Sequence, residues 1–313
     1  MTSGKSQIAA VIILLTAVFL FSLVNDNSSP GDRGVVTKIL PIYKKTPVEE
    51  SPFLAVELGA KAAYVFDIKN SKVLYAKNEN VQLPLASLAK LMTALVAIQN
   101  IPADKVVTIT PEDIKKEGDS YFAVGERWSL KNIIGLTLVS SSNDGAAAIA
   151  SAFDLAVGRN ESKDFGTFVD KMNETARDLS LTQTYFLNET GLDVSYDLSG
   201  AYGSAKDISK LMIYLFNKNP GVLEVTSYGS VVINSFDMEH AATNTNRVIG
   251  DIPGLLSSKT GYTDLAGGNL SIIFEAGPNR PIAITILGST EEGRFGDVKN
   301  LVSATLKSIQ EIR

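Results

Sequence analysis

A chain of 313 residues, 45% hydrophobic and 20% charged, is long and apolar enough to bury one sizeable core or two lobes sharing a cleft. Its 29 basic residues against 34 acidic ones leave a net charge of -5, which excludes a broad basic surface for gripping a nucleic acid backbone. The absence of cysteine excludes disulfides, thiolate zinc sites and cysteine nucleophiles, and a single histidine, His240, excludes multi-histidine metal centres.

The first element is apolar. Ile8 to Val24 is interrupted only by Thr16 and Ser22, and Lys5 stands just ahead of it. At about 1.5 Å per residue the run spans roughly 25 Å, near the short limit for a membrane-crossing helix. A cleaved signal peptide has a shorter apolar region ending in an A-x-A-like site, which Val24-Asn25-Asp26-Asn27 does not offer. Residues 8–24 are therefore read as an uncleaved transmembrane signal anchor behind a short segment, residues 1–7. Arg33, Lys38, Lys44 and Lys45 lie downstream, so the positive-inside bias is blurred. Prolines at 30, 41, 47 and 52 oppose regular structure and mark residues 25–52 as a stalk. The folded domain is expected over residues 53–313.

That domain opens with a hairpin. Ala63 to Ile68 and Val73 to Ala76 flank the turn Lys69-Asn70-Ser71-Lys72. Helical patterns follow: Ser87 to Gln99, then a start at Thr110-Pro111-Glu112-Asp113, where threonine caps and proline fits the first turn. Phe165, Phe168, Val169, Met172, Ala176 and Leu179 recur with helical period. So do Ile208, Leu211, Met212, Leu215 and Phe216 behind the capping pattern Ser204-x-x-Asp207. Strands return at Asn269 to Glu275 and Ile282 to Leu287 around the turn Gly277 to Arg280, and Val298, Leu301, Val302, Leu306 and Ile309 line a last helix. Strands at both ends of a helical middle predict an α+β fold, one antiparallel sheet built from both termini and flanked by helices.

Three short motifs occur in order: Ser87-Leu88-Ala89-Lys90, Ser141-Ser142-Asn143 and Lys259-Thr260-Gly261. Singly each is weak, since S-x-x-K arises about once by chance in a chain this long. Ser87 begins an apolar helix whose N-terminus stabilises nearby negative charge. Lys90, three residues on, shares its face and reaches its hydroxyl. A lysine acts as a base only if desolvation or a second cation lowers its pKa, and Lys259 is a candidate for that cation. Ser141 to Asn143 falls in a loop between helices, where the blander role is capping by Asn143 or Asp144. Gly261 leads into a strand and would let a ligand approach the backbone closely. With one histidine in the chain, amide hydrolysis here is expected to use another base, and His240 is read as a surface or loop residue.

Taken together, the three motifs resemble the signatures of active-site-serine penicillin-binding proteins and class A β-lactamases. Over roughly residues 60–305 the chain is similar to the low-molecular-mass D-alanyl-D-alanine carboxypeptidases of peptidase family S11. Thr184 to Asp193 and Lys259 to Asp264 extend the likeness past the tripeptides. The resemblance implies a penicillin-binding-protein-like fold with a largely helical lobe, and a peptidase acting on the D-Ala-D-Ala end of peptidoglycan stem peptides. It implies Ser87 as nucleophile, Lys90 as its base and Ser141 as proton relay. It implies Asn143 as a peptide-binding residue, Lys259 and Thr260 as carboxylate ligands beside Gly261, and the N–H groups of Ser87 and Tyr262 as oxyanion donors. Asn244, Asn246 and Arg247 would order the approach to that strand. β-Lactams would acylate the same serine, with no metal and no cofactor.

Two departures from the family pattern stand out. Ser142 replaces the usual glycine of the middle motif. Many members also add a β-rich C-terminal domain and an amphipathic anchor, whereas this chain ends soon after Leu306, so the N-terminal run is expected to anchor it. The expected location is the cell membrane, single-pass, with the catalytic domain extracytoplasmic, or secreted if the run is cleaved. Rival readings are a class A-like β-lactamase, with Glu189 activating water, a D,D-endopeptidase, and a non-catalytic β-lactam-sensing module.

Overall fold

The computed structural model describes residues 51–115, 121–156 and 167–310. The apolar run 8–24, all of the stalk but its last two residues, and Phe165 lie outside them. Among the described residues, no helix is long and apolar enough to cross a membrane.

The strands are β1 (Ala62–Asp67), β2 (Lys72–Lys77), β3 (Leu83–Pro84), β4 (Val106–Thr108), β5 (Arg127–Ser129), β6 (Tyr185–Phe186), β7 (Ala201–Gly203), β8 (Ser230–Asn234), β9 (Glu239–Thr243), β10 (Leu255–Thr263), β11 (Gly267–Glu275) and β12 (Pro281–Ser289). The longer helices are α1 (Lys90–Asn100), α2 (Leu130–Ser140), α3 (Asn143–Ala156), α4 (Phe168–Asp178), α5 (Ala205–Lys218) and α6 (Gly293–Gln310).

One five-stranded antiparallel sheet, in the order β10-β11-β12-β1-β2, joins the two ends of the domain. Alternation along its strands sorts side chains to two faces. Ala63 and Val65, with Ile272, Phe274, Ile284 and Ile286, pack beneath α6 against Phe295, Val298 and Leu301. Ala62, Tyr64, Ile273, Ala283 and Leu287 face the helical lobe instead, joining Leu91, Leu95, Ile133, Leu211 and Met212. Asp297 of α6 staples the sheet's first strand, accepting from Gly59 N (2.9 Å), Ala60 N (2.8 Å) and Ser289 Oγ (2.6 Å). The expected sheet and α+β class are thus present.

Two expectations need correction. The helix start at Thr110 is absent: only a 3-10 turn, Asp113–Lys115, follows within the described residues. Asp113 spends its carboxylate on Thr110 N (2.8 Å), Thr110 Oγ1 (2.9 Å) and Ser151 Oγ (2.7 Å) of α3, which pins the segment as a loop. The capping pattern before α5 is half realised. Ser204 Oγ accepts from Asp207 N at 3.1 Å, but the Asp207 carboxylate turns to Gln183 N (2.7 Å) and Thr184 Oγ1 (3.1 Å).

Candidate active site

Ser87 sits in a 3-10 turn, Ala86–Ala89, one turn ahead of α1 rather than inside it. The turn is fixed from both sides. Leu85 N donates to Ala201 O (2.9 Å), while Asn269 Nδ2 of β11 donates to Pro84 O (3.0 Å) and Leu85 O (3.1 Å). Ala86 is held in the left-handed region, φ 48°, a conformation that only a well-determined surround maintains in a residue with a Cβ.

Lys90, the first residue of α1, is fully buried. Its Nζ lies 2.9 Å from Ser87 Oγ, 2.7 Å from Asn143 Oδ1 and 2.8 Å from Thr190 O. Burial brings its pKa down from 10.5 to about 7, against the opposing pull of the Glu189 carboxylate. The geometry suits a neutral amine. A carbonyl and an amide oxygen cannot donate, so two N–H bonds go to Thr190 and Asn143. The nitrogen lone pair is then left for the hydroxyl of Ser87.

Ser141 follows α2 in the left-handed region, φ 61°, and its hydroxyl accepts from Lys259 Nζ at 2.8 Å. The cap of α3 is Ser142, whose Oγ accepts from Gly145 N at 3.0 Å, not Asn143 or Asp144. Asn143, in the first turn, reaches Lys90 instead. Lys259 of β10 is 2% exposed, and its Nζ also donates to Thr260 O at 2.9 Å. Burial holds its pKa well below the usual lysine range, and the positive charges of Lys90 and Arg294 add to this. Burial is the leading cause at both lysines.

Gly261 also makes room for the serine-bearing turn. A Cβ there would stand 2.7 Å from Leu85 O and 3.2 Å from both Ser87 N and Leu88 N. The serine-bearing turn packs directly on this stretch of backbone. On the other side, Arg294 Nη1 of α6 donates to Gly261 O at 2.8 Å, and Tyr262 is 44% exposed at the strand's open end.

The segment after β6 closes over the lysine. Asn188 Oδ1 accepts from Gly191 N (2.7 Å), Thr190 Oγ1 (3.0 Å) and Thr190 N (3.2 Å). Thr93 Oγ1 donates to Glu189 O at 2.6 Å. Gly191, φ 78°, lies so near Ala86 that a Cβ would fall 1.9 Å from its carbonyl oxygen. Thr263 Oγ1 then donates to Asp193 Oδ1 at 3.0 Å, tying the segment to β10.

Ser87 and Asn143 are therefore both in contact with Lys90, Ser141 is in contact with Lys259, and Thr260, Gly261 and Tyr262 continue the strand of Lys259. Sequence reasoning missed Thr190, Thr245, Asn269 and Arg294. Thr245 Oγ1 lies 2.5 Å from Thr260 Oγ1, held between Asn244, which bonds Thr226 O and Tyr228 O, and Asn246. Asn246 shapes that turn through Val248 N, while Arg247 pairs with Glu292 on the surface at 2.6 Å. His240 is a part-buried strand residue rather than a surface or loop one. Its Nε2 lies 2.5 Å from Glu126 Oε1 and its ring 4.7 Å from that of Trp128, away from the serine.

An antiparallel sheet backed by a helical lobe, with a serine and two buried lysines at their junction, is the arrangement of the penicillin-binding proteins. The ampicillin-bound penicillin-binding protein D2 of Listeria monocytogenes has 29% identity and a TM-score of 0.67, over 80% of this chain and 98% of that one. The sequence profile described as D-alanyl-D-alanine carboxypeptidase, peptidase S11, matches residues 46–290, and the chain belongs to that family. It is 31% identical over 250 residues to the D-alanyl-D-alanine carboxypeptidase DacF of Bacillus subtilis, covering 78% of this chain and 61% of that protein. A D-alanyl-D-alanine endopeptidase of Pseudomonas aeruginosa is 28% identical over 284 residues, covering 87% and 85%.

Proposed function

We propose that this chain is a serine D-Ala-D-Ala carboxypeptidase that removes the terminal D-alanine from peptidoglycan stem pentapeptides through an acyl-enzyme on Ser87. The observation that carries the reading is the Lys90 amine, buried, with a pKa of about 7 and 2.9 Å from Ser87 Oγ. Lys90 takes the hydroxyl proton as Ser87 Oγ bonds to the carbonyl carbon between the two D-alanines. The backbone N–H groups of Ser87 and Tyr262 stabilise the oxyanion. The C–N bond then breaks, and Ser141, 2.8 Å from Lys259, relays to the departing amine the proton that Lys90 took from Ser87. Water adds to the ester and releases the shortened peptide. Asn143 holds the peptide, and Lys259 with Thr260 and Gly261 of β10 receives the terminal carboxylate, which restricts cutting to chain ends.

β-Lactams acylate Ser87 in this reading, supported by the family likeness to a protein solved in its ampicillin-bound form. Residues 8–24 anchor the chain in the cell membrane as a single span, residues 25–52 form the stalk, and residues 53–313 work outside the cytoplasm. A second reading, D,D-endopeptidase, draws support from the Pseudomonas relative, whose name carries that activity across 85% of its length. The test is to incubate the protein with a pentapeptide ending in D-Ala-D-Ala and assay free D-alanine, with Ser87→Ala as control. Release that depends on Ser87 supports the carboxypeptidase. Cleavage of cross-linked dimers without D-alanine release favours the endopeptidase.

A further inference from the structure

The segment that covers Lys90 continues outward. Beyond Asp193, the N–H groups of Val194 and Ser195 both donate to Leu198 O, at 2.7 and 3.2 Å, and Ser195 Oγ donates to Asp197 Oδ1 at 2.6 Å. These bonds close a tight tip that displays Tyr196, 90% exposed, beside Val194, 55% exposed. At its base Ser199 N donates to the Tyr202 hydroxyl at 3.0 Å, and the Tyr202 ring stacks on Tyr185 with centroids 5.2 Å apart. Single exposed apolar side chains are ordinary, but here Val194, Tyr196 and Leu198 stand out together on the segment whose earlier residues cover Lys90. The cross-bracing means that a ligand laid on this tip has little loop entropy left to remove.

Charge narrows the partner. From Thr182 to Gly200 there are three carboxylates, Glu189, Asp193 and Asp197, and neither lysine nor arginine. Such a surface is repelled by anionic lipid headgroups and by anionic polymers. A sugar ring offers a neutral apolar C–H face, which suits the flat ring of a tyrosine. We propose that the tip around Tyr196, with the Tyr185–Tyr202 pair behind it, is a second binding surface that takes the N-acetylated amino-sugar strand to which the stem peptide is attached. The proposal rests on the D-Ala-D-Ala reading above, because a stem peptide held at Ser87 carries its glycan strand with it, and the tip continues the segment that covers Lys90.

The test uses the full chain and its Tyr196→Ala and Tyr196→Phe variants, with two readouts. The first is retention on purified glycan strands stripped of peptide. The second is D-alanine release from a free pentapeptide and from the same peptide still on its glycan. Tyr196→Ala is expected to lose about ten-fold in retention and to raise KM about ten-fold for the glycan-linked substrate alone, while Tyr196→Phe behaves as the parent. Equal retention of parent and Tyr196→Ala overturns the proposal, as does an equal loss on both substrates. Retention on anionic lipid vesicles that Tyr196→Ala abolishes, with glycan retention unchanged, assigns the tip to the membrane instead. If the parent releases no D-alanine at all, the carboxypeptidase reading fails, and retention on peptide-free strands still decides the glycan surface.

Discussion

At the level of single residues, the proposed role of Lys90 as the base makes its protonation the expected source of the pH response. With a pKa of about 7, about half of the molecules carry the free amine at neutral pH, against about three in ten thousand for a lysine at 10.5. A lowered pKa puts the active, deprotonated form above it. Acylation of Ser87 by penicillin, followed by intact-mass measurement, should therefore climb as pH rises toward about 7 and level off beyond it. Lys90→Ala should lose about 10³-fold or more in acylation rate, close to the loss in Ser87→Ala, because no other base is in contact with Ser87 among the described residues. Glu189 raises the Lys90 pKa, so Glu189→Gln should shift the rising limb to lower pH. It should leave the lifetime of the penicilloyl adduct, minutes or longer, unchanged. Rapid adduct turnover that vanishes in Glu189→Gln, without D-alanine release by the parent, would instead reveal a β-lactamase. Lys259→Ala should raise KM for the peptide acid sharply while affecting its amide little. An equal response from acid and amide would remove Lys259 from carboxylate binding.

Among the elements, the junction between β10 and the serine-bearing turn carries the greatest constraint. A methyl at Gly261 meets backbone on its far side, Leu85 O at 2.7 Å, where no flexible side chain can give way. Gly261→Ala should therefore destabilise the domain by about 1–3 kcal/mol and slow acylation as Ser87 is displaced, checked by thermal unfolding and penicillin labelling on one preparation. The same region shows what was legible in the sequence. The hairpin β1–β2, α5, β11, β12 and α6 carry long stretches of period 2 or 3.6, and they lie where the pattern puts them. Tyr185–Phe186 and Leu83–Pro84 are strands of two residues, too short to show any period, and exist because β7 pairs with both. Catalytic candidates were visible because three motifs fix Ser87, Lys90, Ser141, Asn143 and Lys259 by type and order. Arg294 and Asn269 were not, since each contacts the site through a backbone carbonyl far away in the chain. Nor does a local pattern reveal that Asp113 would bind Ser151 across the lobe and forgo its helix.

For the whole molecule, the apolar run at residues 8–24 predicts that the full chain fractionates with membranes, while a chain beginning at Ser51 stays soluble and acts on small peptides at the full rate. A mature N-terminus found between Val24 and Pro30 would overturn the anchor. The sheet has a further consequence, in the order of assembly. β1 pairs with its sequence neighbour β2 on one side and with β12 on the other, Ala62 standing opposite Leu287. Contacts between such remote stretches form late, because the entropy of closing so long a loop must be overcome first. Ser87 and Lys90 meet within one turn of chain, but Lys259 and Gly261 arrive only with the strands that β12 completes. A growing polypeptide is therefore expected to bring Ser87 and Lys90 together long before Lys259 and Gly261 join them. On the proposed reading, β-lactam labelling is expected only of chains whose synthesis has passed β12.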